Sequence, residues 1–293
     1  MVQFDYVKPS TVAQLLEGLH QARSEGAVLA GGTDLHVKMR LGLTAPRVLF
    51  DISELPPLRG IAAEGSHLRI GAAVRMAELM TSDTVRRMAP ALVESCRQMS
   101  CRQIRNRATL GGNIVTASPA ADAVPPLLAA DASLVLVGPD GRRELPLGEF
   151  LLGPGKTALR QGEALLEVLL PVQAANCRSQ FVKVGRRKAQ AISIINLAGQ
   201  VEIGPDGRIR DLRMALGSVA PTVMRARRAE ASLEGQAPNA GNLAAAAALA
   251  AEECRPISDV RATGSGRRLL VAAWTLRLLQ GLCATGAEMG GGR

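Results

Sequence analysis

Two double-glycine segments hold the residues of this chain best suited to chemistry: Leu29-Ala30-Gly31-Gly32-Thr33-Asp34-Leu35 and Thr109-Leu110-Gly111-Gly112-Asn113-Ile114. Glycine lacks a Cβ, so consecutive glycines reach positive φ and let backbone N–H groups approach an anion that side chains would otherwise keep away. The short side chains of Thr33, Asp34, Thr109 and Asn113 add hydrogen-bonding groups beside them. Two such loops can grip one pyrophosphate from both sides, which points to a phosphate-bearing cofactor. About four charge-assisted N–H bonds at roughly 1.5–3 kcal/mol each compare with about 8 kcal/mol for micromolar binding.

Other candidate chemistry falls away on spacing. Gly153-Pro154-Gly155-Lys156-Thr157 invites comparison with a nucleotide P-loop, but the required earlier glycine is Phe150 and Pro154 removes a cradle N–H. Neither glycine pair continues as Gly-x-Gly-x-x-Gly, which argues against a Rossmann domain. His20, His36 and His67 are scattered, with no carboxylate or cysteine at metal-ligand spacing, so no metal site is expected. There is no hydrolase triad and no distinctive carboxylate pair, and Cys96 and Cys101 read as helix or loop thiols. No catalytic side chain is therefore expected. A chain rich in ligand-holding residues and poor in acids, bases and nucleophiles fits a redox cofactor, which carries its own chemistry.

The elements that must position these loops follow from periodicity and breakers. Thr11-Val12-Ala13-Gln14 has capping-box spacing, and Val12, Leu15, Leu16, Leu19 and Ala22 form an apolar stripe, so residues 11–22 read as a helix ended by Gly26. Residues 28–30 read as a buried strand entering the first glycine pair and 33–40 as a short helix. That sets the loop at a helix N-terminus, where free N–H groups favour negative charge. A strand at 47–52 and a proline-bearing connection at 53–57 close this first α/β part. A second part holds a strand at 67–72, a helix at 90–99, a hairpin about Pro139-Asp140-Gly141 and a strand at 165–170 stopped by Pro171. Beyond a loose stretch at 173–178, residues 180–185, 191–203 and 208–219 read as three antiparallel strands, the last two joined by Gly204-Pro205-Asp206-Gly207. Helices follow at 243–252 and 266–282, and a tail over 284–293 is expected to be flexible.

At 293 residues the chain exceeds the usual single-domain size, so two domains are expected. Aromatics are scarce, with one Trp, one Tyr and four Phe, so the core must be built from Leu, Val, Ile and Ala. The net charge of +9 comes mainly from arginine, with clusters at Arg102, Arg105 and Arg107, at Arg186, Arg187 and Lys188, and at Arg225, Arg227 and Arg228. Neither an aromatic stacking platform nor a helical reader accompanies that charge, so an anionic ligand is expected rather than nucleic acid. Five cysteines without a Cys-x-x-Cys pair argue against a disulfide framework. The sequence opens without a secretion-signal pattern and no stretch approaches about 18 apolar residues, so a cytoplasmic protein without a membrane span is expected.

Residues 30–35 and 104–114, followed by Ala117-Ser118-Pro119-Ala120-Ala121-Asp122, closely resemble the FAD-binding (medium) subunit of the molybdenum hydroxylases, the xanthine dehydrogenase and carbon monoxide dehydrogenase flavoprotein family. Gly153-Pro154-Gly155-Lys156, Phe181-Val182-Lys183 and Leu216-Gly217-Ser218-Val219-Ala220-Pro221-Thr222 extend the resemblance over nearly the whole chain. The resemblance implies an α+β architecture. A two-subdomain FAD-binding fold of the vanillyl-alcohol-oxidase (PCMH) type over 1–175, with subdomains about 1–57 and 58–175, precedes a small C-terminal domain over 176–283 with a three-stranded antiparallel sheet and helices.

It implies residue roles as well. Leu29, Ala30, Gly31, Gly32, Thr33 and Asp34, with Thr109, Gly111, Gly112 and Asn113, would hold the pyrophosphate and ribityl. Asp122 would lie beside the flavin's sugar chain, Leu165 would offer a backbone contact near the adenine, and Lys183 would make a later FAD contact. A stretch around 189–192 would approach the isoalloxazine, with no single residue assigned. No histidine stands where a covalent link would form, so non-covalent FAD is implied, and the spacing leaves no room or ligands for the iron–sulfur insertion some relatives carry.

The implied partners are a large molybdenum-containing subunit, a small subunit with two [2Fe-2S] centres, and NAD or another electron acceptor. The retained Gly153-Pro154-Gly155-Lys156 loop and the 217–222 segment favour oxidation of a purine or other N-heterocycle. A carbon monoxide dehydrogenase-like or aldehyde or aromatic hydroxylase is the alternative within the family, and a non-enzymatic basic binding protein the alternative outside it.

Overall fold

The computed structural model of the chain describes residues 3–284; the expected tail lies, beyond Ala284, outside the described residues. In chain order the elements begin with β1 (Asp5–Val7), α1 (Val12–Ala22), β2 (Gly26–Leu29), α2 (Leu35–Arg40), β3 (Val48–Asp51), β4 (Ile61–Glu64) and β5 (His67–Gly71). Helices α3 (Met76–Thr81), α4 (Asp83–Met88), α5 (Pro90–Gln98), α6 (Arg102–Arg105), α7 (Leu110–Val115) and α8 (Val124–Ala129) follow. Next come β6 (Ser133–Gly138), β7 (Gly141–Pro146), α9 (Leu147–Phe150), β8 (Leu151–Gly153), β9 (Lys156–Thr157), β10 (Ala164–Pro171) and β11 (Arg178–Val184). The chain ends with β12 (Ile195–Ile203), β13 (Ile209–Gly217), β14 (Met224–Arg225), α10 (Arg227–Leu233), α11 (Ala240–Glu253) and α12 (Gly264–Cys283). These elements form two units. One comprises Met1–Arg86, Ser100–Ser118 and Asp131–Val172, and the other Arg87–Met99, Pro119–Ala130 and Gln173–Arg293.

The first unit holds a three-stranded parallel sheet in the order β1-β3-β2 and a five-stranded antiparallel sheet in the order β4-β5-β10-β6-β7. Thr11 caps α1 by accepting from Gln14 N–H at 3.1 Å, and Leu15 and Leu19 bury its apolar stripe. The helix sits close on the sheet at Gly18, where a Cβ would lie 2.4 Å from the Phe50 ring. Contrary to the expectation from sequence, Gly26 does not end this helix: α1 stops at Ala22 with Arg23 as its C-cap at φ +48, and after a 3-10 turn at Arg23–Glu25, Gly26 is the first residue of β2. The hairpin turns on Pro139 and Asp140, with Gly138 facing Gly141 in register and Gly141 at φ +102. Leu134, Leu136, Leu68, Ile70 and Val168 form the buried face of the antiparallel sheet. Glu167, in β10, gathers Arg69 at 2.6 Å and Arg142 at 2.6 Å from the strands or hairpins alongside.

The second unit is built on an antiparallel sheet in the order β11-β12-β13-β14. It has four strands, not the three expected. The fourth is the two-residue β14, which pairs Met224 with Leu216 and Arg225 with Ala215 and is too short to carry a period-two signal. Expected strand 191–203 begins only at Ile195, because the chain from Gly185 to Ile194 is a loop with Gln190 at φ +52. Strand β12 is buried on both faces. Ile195, Leu197 and Val201 join a core with Leu278 and Leu282 of α12, and Gly199 gives α12 its close approach, since a Cβ there would meet Leu282 Cδ1 at 2.7 Å. Asn196 and Ala198 alternate onto the face that α8 covers. Such two-sided burial makes a strand read as a continuous apolar run.

In the first unit Arg143 forks onto Glu163, with Nε and Nη2 each 2.8 Å from a carboxylate oxygen. The guanidinium holds the Glu163 carboxyl below its usual range, against the opposing effect of burial, and the Arg160 N–H helps. A carboxylate whose folded-state pKa is depressed gives stability that is complete above the ordinary value of 4.5 and is lost as pH falls through the folded value. Glu163→Gln should therefore lose less stability than the parent between about pH 6 and about pH 3. Urea denaturation at a series of pH values checks this, and equal slopes for the two proteins would remove Glu163 as a source of acid sensitivity.

Candidate functional site

The first unit brings the two glycine segments together. Strand β2 ends at Leu29, and residues 30–34 turn into α2 with Gly32 at φ +75. At Gly31 a Cβ would lie 2.0 Å from Arg107 O and 3.0 Å from Ala108 Cα, so the first loop rests directly on the backbone leading into the second. Thr116 Oγ1 and Asp34 Oδ2 lie 3.3 Å apart, and Lys38 Nζ approaches that same oxygen at 2.8 Å. Leu165, in β10, is buried and pairs with Leu136. The next residue, Leu166, accepts from Ala72 N–H at 2.9 Å, and Ala72 O in turn accepts from Gly111 N–H at 2.9 Å. A chain of backbone bonds thus runs from β10 to the second glycine pair.

The two segments differ in what they can offer a ligand. The N–H groups of Gly31, Gly32 and Thr33 donate to no backbone carbonyl among the described residues. Those of Leu110, Gly111, Gly112 and Asn113 in the second segment are used within the protein. Leu110 donates to Val74 O at 2.9 Å, Gly111 to Ala72 O, Gly112 to the capping Thr109 Oγ1 at 3.1 Å, and Asn113 to Thr109 O at 3.0 Å. The expectation that both segments offer backbone N–H groups thus fits the first far better than the second. What the second provides is Asn113, whose Oδ1 is buried and has no hydrogen-bond partner. A buried unpaired acceptor costs about 1–3 kcal/mol, and a bound hydroxyl donor would recover it.

The second unit brings together Asp122 and Lys183. Lys183 Nζ lies 2.6 Å from Asp122 Oδ2 and also donates to Gln98 O at 3.3 Å. Asp122 Oδ1 accepts from Ser193 Oγ at 2.7 Å and from Asn196 Nδ2 at 3.0 Å. Both charged side chains are nearly buried, at 7% and 8% exposed. A carboxylate accepts at about four positions and an ammonium donates from three. This pair therefore keeps about one acceptor and one donor for a ligand. Ser193 and Asn196 were missed by sequence reasoning. Asn196 left a signal, a polar residue inside the apolar run Ile194-Ile195-Asn196-Leu197-Ala198.

The backbone N–H groups of Ile104 and Gln103 lower the Cys101 thiol below its usual value, while other thiols move the opposite way. Burial pushes the thiols of Cys177 and Cys254 up to about 11 and about 12. Among the described residues no group of three or more His, Cys, Asp and Glu could hold a metal ion. Each unit carries groups suited to binding: free N–H groups on a glycine loop and an unpaired amide oxygen in the first, and a neutralised ion pair in the second.

Residues 2–173 match the family model of the FAD binding domain in molybdopterin dehydrogenase, and residues 180–282 match that of the CO dehydrogenase flavoprotein C-terminal domain. The chain belongs to the FAD-binding subunit family of the molybdenum hydroxylases. It is 32% identical to the carbon monoxide dehydrogenase medium chain of Hydrogenophaga pseudoflava, over 94% of this chain and 96% of that one. It is also 32% identical to a putative xanthine dehydrogenase FAD-binding subunit of Escherichia coli K12, over 98% of this chain and 99% of that one. A solved carbon monoxide dehydrogenase structure from H. pseudoflava superposes with a TM-score of 0.92 at 34% identity, covering 96% of this chain and 97% of that one. Members of this family are dehydrogenase subunits, and the chain is an oxidoreductase subunit. Among the described residues no helix is long and apolar enough to cross a membrane.

The two glycine pairs should respond differently to a methyl group. Gly31→Ala sets a Cβ against a backbone carbonyl, which cannot swing aside, and should cost about 2–4 kcal/mol. Gly112→Ala meets only Thr109 Oγ1, at 2.9 Å, inside a helix that alanine favours, and should change stability by less than about 1 kcal/mol. Urea denaturation of both variants tests the contrast, and similar losses would contradict the close approach at residue 31.

Proposed function

We propose that this chain is the FAD-binding electron-transfer subunit of a multi-subunit molybdenum hydroxylase, and that the sequence-identified residues are its cofactor contacts. The observation that carries the residue assignment is the first-unit loop, whose N–H groups have no backbone acceptor, backed by the buried and unpartnered Asn113 Oδ1. In this reading Leu29, Ala30, Gly31, Gly32, Thr33 and Asp34 hold the pyrophosphate. Thr109, Gly111 and Gly112 form the Cβ-poor surface beside it, and Asn113 accepts from a hydroxyl. Asp122 and Lys183 offer one acceptor and one donor to the polar chain of the cofactor, and Leu165 a backbone contact. FAD, when bound, supplies electron exchange between one-electron iron–sulfur carriers and a two-electron acceptor. The protein's own part is to bind, orient and desolvate.

The finer architecture belongs to the same reading: a vanillyl-alcohol-oxidase-type domain over 1–175, with subdomains about 1–57 and 58–175, and a flavoprotein C-terminal domain over 176–283. The partners are a molybdenum-containing large subunit and a small subunit carrying two [2Fe-2S] centres, with NAD as the acceptor and the cytoplasm as the location. Oxidation of a purine or other N-heterocycle is the substrate class proposed. Equal identity to a carbon monoxide dehydrogenase medium chain keeps that chemistry as the second reading.

Two measurements test the cofactor assignment. The purified full chain should be yellow or take up added FAD, and a colourless protein that binds none would overturn it. Asn113→Leu should weaken FAD binding at least about tenfold, because a hydroxyl loses its acceptor. The same change should leave the cofactor-free protein as stable as the parent or more so, because it removes a buried unpaired oxygen. Unchanged FAD affinity in a folded variant would take Asn113 out of the site.

A further inference from the structure

Two segments of the second unit fix the stretch that carries Asp122, one at Asp122 itself and the other at Pro119, and one buried cation reaches both. The first segment runs from Ser193 to Asn196, whose side chains donate to Asp122 Oδ1. The second is Gly217-Ser218. Gly217 packs so closely on Asn196 that a Cβ would meet its Oδ1 at 2.0 Å and Pro119 O at 3.3 Å, and Ser218 N–H donates to Pro119 O at 2.7 Å. Pro119 lies three residues before Asp122 in the chain. Ser218 stands at φ +63, a left-handed conformation that costs a residue with a side chain about 1 kcal/mol or more. Something must hold it there.

That something is Arg267 of α12. Its Nη1 donates to Ile194 O at 2.5 Å and to Ser218 O at 2.9 Å, so one guanidinium nitrogen pins both segments, each at a carbonyl next to the residue that matters. Its Nη2 lies 2.8 Å from Asp259 Oδ1, and the side chain is only 3% exposed. Asp259 is itself fixed: the Arg261 N–H donates to Oδ1 at 2.8 Å and Arg261 Nη1 to Oδ2 at 2.7 Å. The Arg261 N–H, with the Arg267 guanidinium, holds the Asp259 carboxyl far below its usual range, so it stays a counterion to the buried guanidinium at any ordinary pH. A planar guanidinium can serve three acceptors in fixed directions, and an ammonium cannot do so from the same position.

We propose that Arg267, seated on Asp259, is a positioning residue for cofactor binding: by fixing the Ile194 and Ser218 carbonyls it sets the two segments that aim the Asp122 carboxylate and its partner Lys183. This rests on the reading that Asp122 contacts FAD. Arg267 touches no cofactor in this scheme and acts only through the groups that hold Asp122. Its effect on FAD therefore depends on Asp122 being intact, whereas a merely structural effect does not.

A double-mutant cycle on the full chain tests this, with FAD affinity read by flavin fluorescence and folding by thermal unfolding without FAD. Arg267→Lys and Asp122→Asn should each weaken FAD at least about tenfold. The double variant should bind within about threefold of Asp122→Asn alone, because the arginine has nothing left to aim. The visible circular dichroism of the bound flavin should change in Arg267→Lys as it does in Asp122→Asn. If Arg267→Lys does not fold, Asp259→Asn takes its place in the same cycle with the same expectations. Parental affinity in the arginine variant, or losses that multiply in the double variant, would overturn the positioning role while leaving Asp122 in the site. Unchanged affinity in Asp122→Asn would overturn the cofactor assignment of Asp122, and the positioning role with it.

Discussion

Backbone packed directly on backbone is the constraint on which the first unit depends. At Gly31 the obstacle to a side chain is the Arg107 carbonyl, and at Gly111 it is the Ala72 carbonyl, 2.8 Å from where a Cβ would be. Neither can rotate away, because each belongs to a segment tied down by its own hydrogen bonds. Helix α7 has only six residues, far below the length at which a helix persists by itself. It stays formed because Val74 and Ala72 accept the N–H groups of its first turn and Ala72 is bonded in turn to Leu166 of the five-stranded sheet. The sheet lends its rigidity to the second glycine segment, and the contact at Gly31 passes it to the first.

That economy explains why the two segments, alike in sequence, have different uses. Anchoring α7 consumes the N–H groups at 110–113, so the second pair of glycines serves closeness rather than donation. The first pair has a different context. It lies between the end of a parallel strand and the start of α2, with Gly32 at positive φ, and its N–H groups are not needed to hold the sheet. Ligands commonly sit at the carboxyl ends of parallel strands for this reason, since the loop there is free of the ladder. The unpaired Asn113 Oδ1 is a local conflict in an otherwise satisfied region, and such conflicts collect where a ligand is to be held.

Much of this was legible in the chain and some was not, for reasons that can be named. The α1 stripe, the Pro139-Asp140 turn and the Gly204-Pro205-Asp206-Gly207 turn were readable because each has local chemistry that forces its shape. The glycine pairs were readable as places of close backbone approach because a Cβ at Gly31 or Gly111 would run into neighbouring backbone. The start of β12 was misread, because Ile192, Ile194 and Ile195 form one apolar run although the first two belong to a loop. The fourth strand was invisible at two residues. Ser193, Asn196 and Arg267 could not be assigned, because their importance lies in partners 49 to 74 residues away, such as Ser218 and Asp122, and no local pattern announces that. Long-range polar networks are written in the sequence only as isolated polar residues inside apolar runs.

Among the described residues, the second unit meets the cost of burying charge by pairing its buried ions. Asp122 has Lys183, Glu230 has Arg225 at 2.6 Å, and Arg267 has Asp259. A buried ion without a counterion costs several kcal/mol, whereas a paired and hydrogen-bonded one is close to neutral in its effect on stability. Pairing also fixes geometry. The Asp122 carboxylate already accepts from an ammonium, a hydroxyl and an amide, so most of its lone-pair positions are committed and its orientation is fixed. On the proposed reading, the groups gathered around Asp122 orient the polar chain of the cofactor with one acceptor and one donor. In that reading this chain binds and orients the cofactor, and the redox chemistry is the cofactor's own.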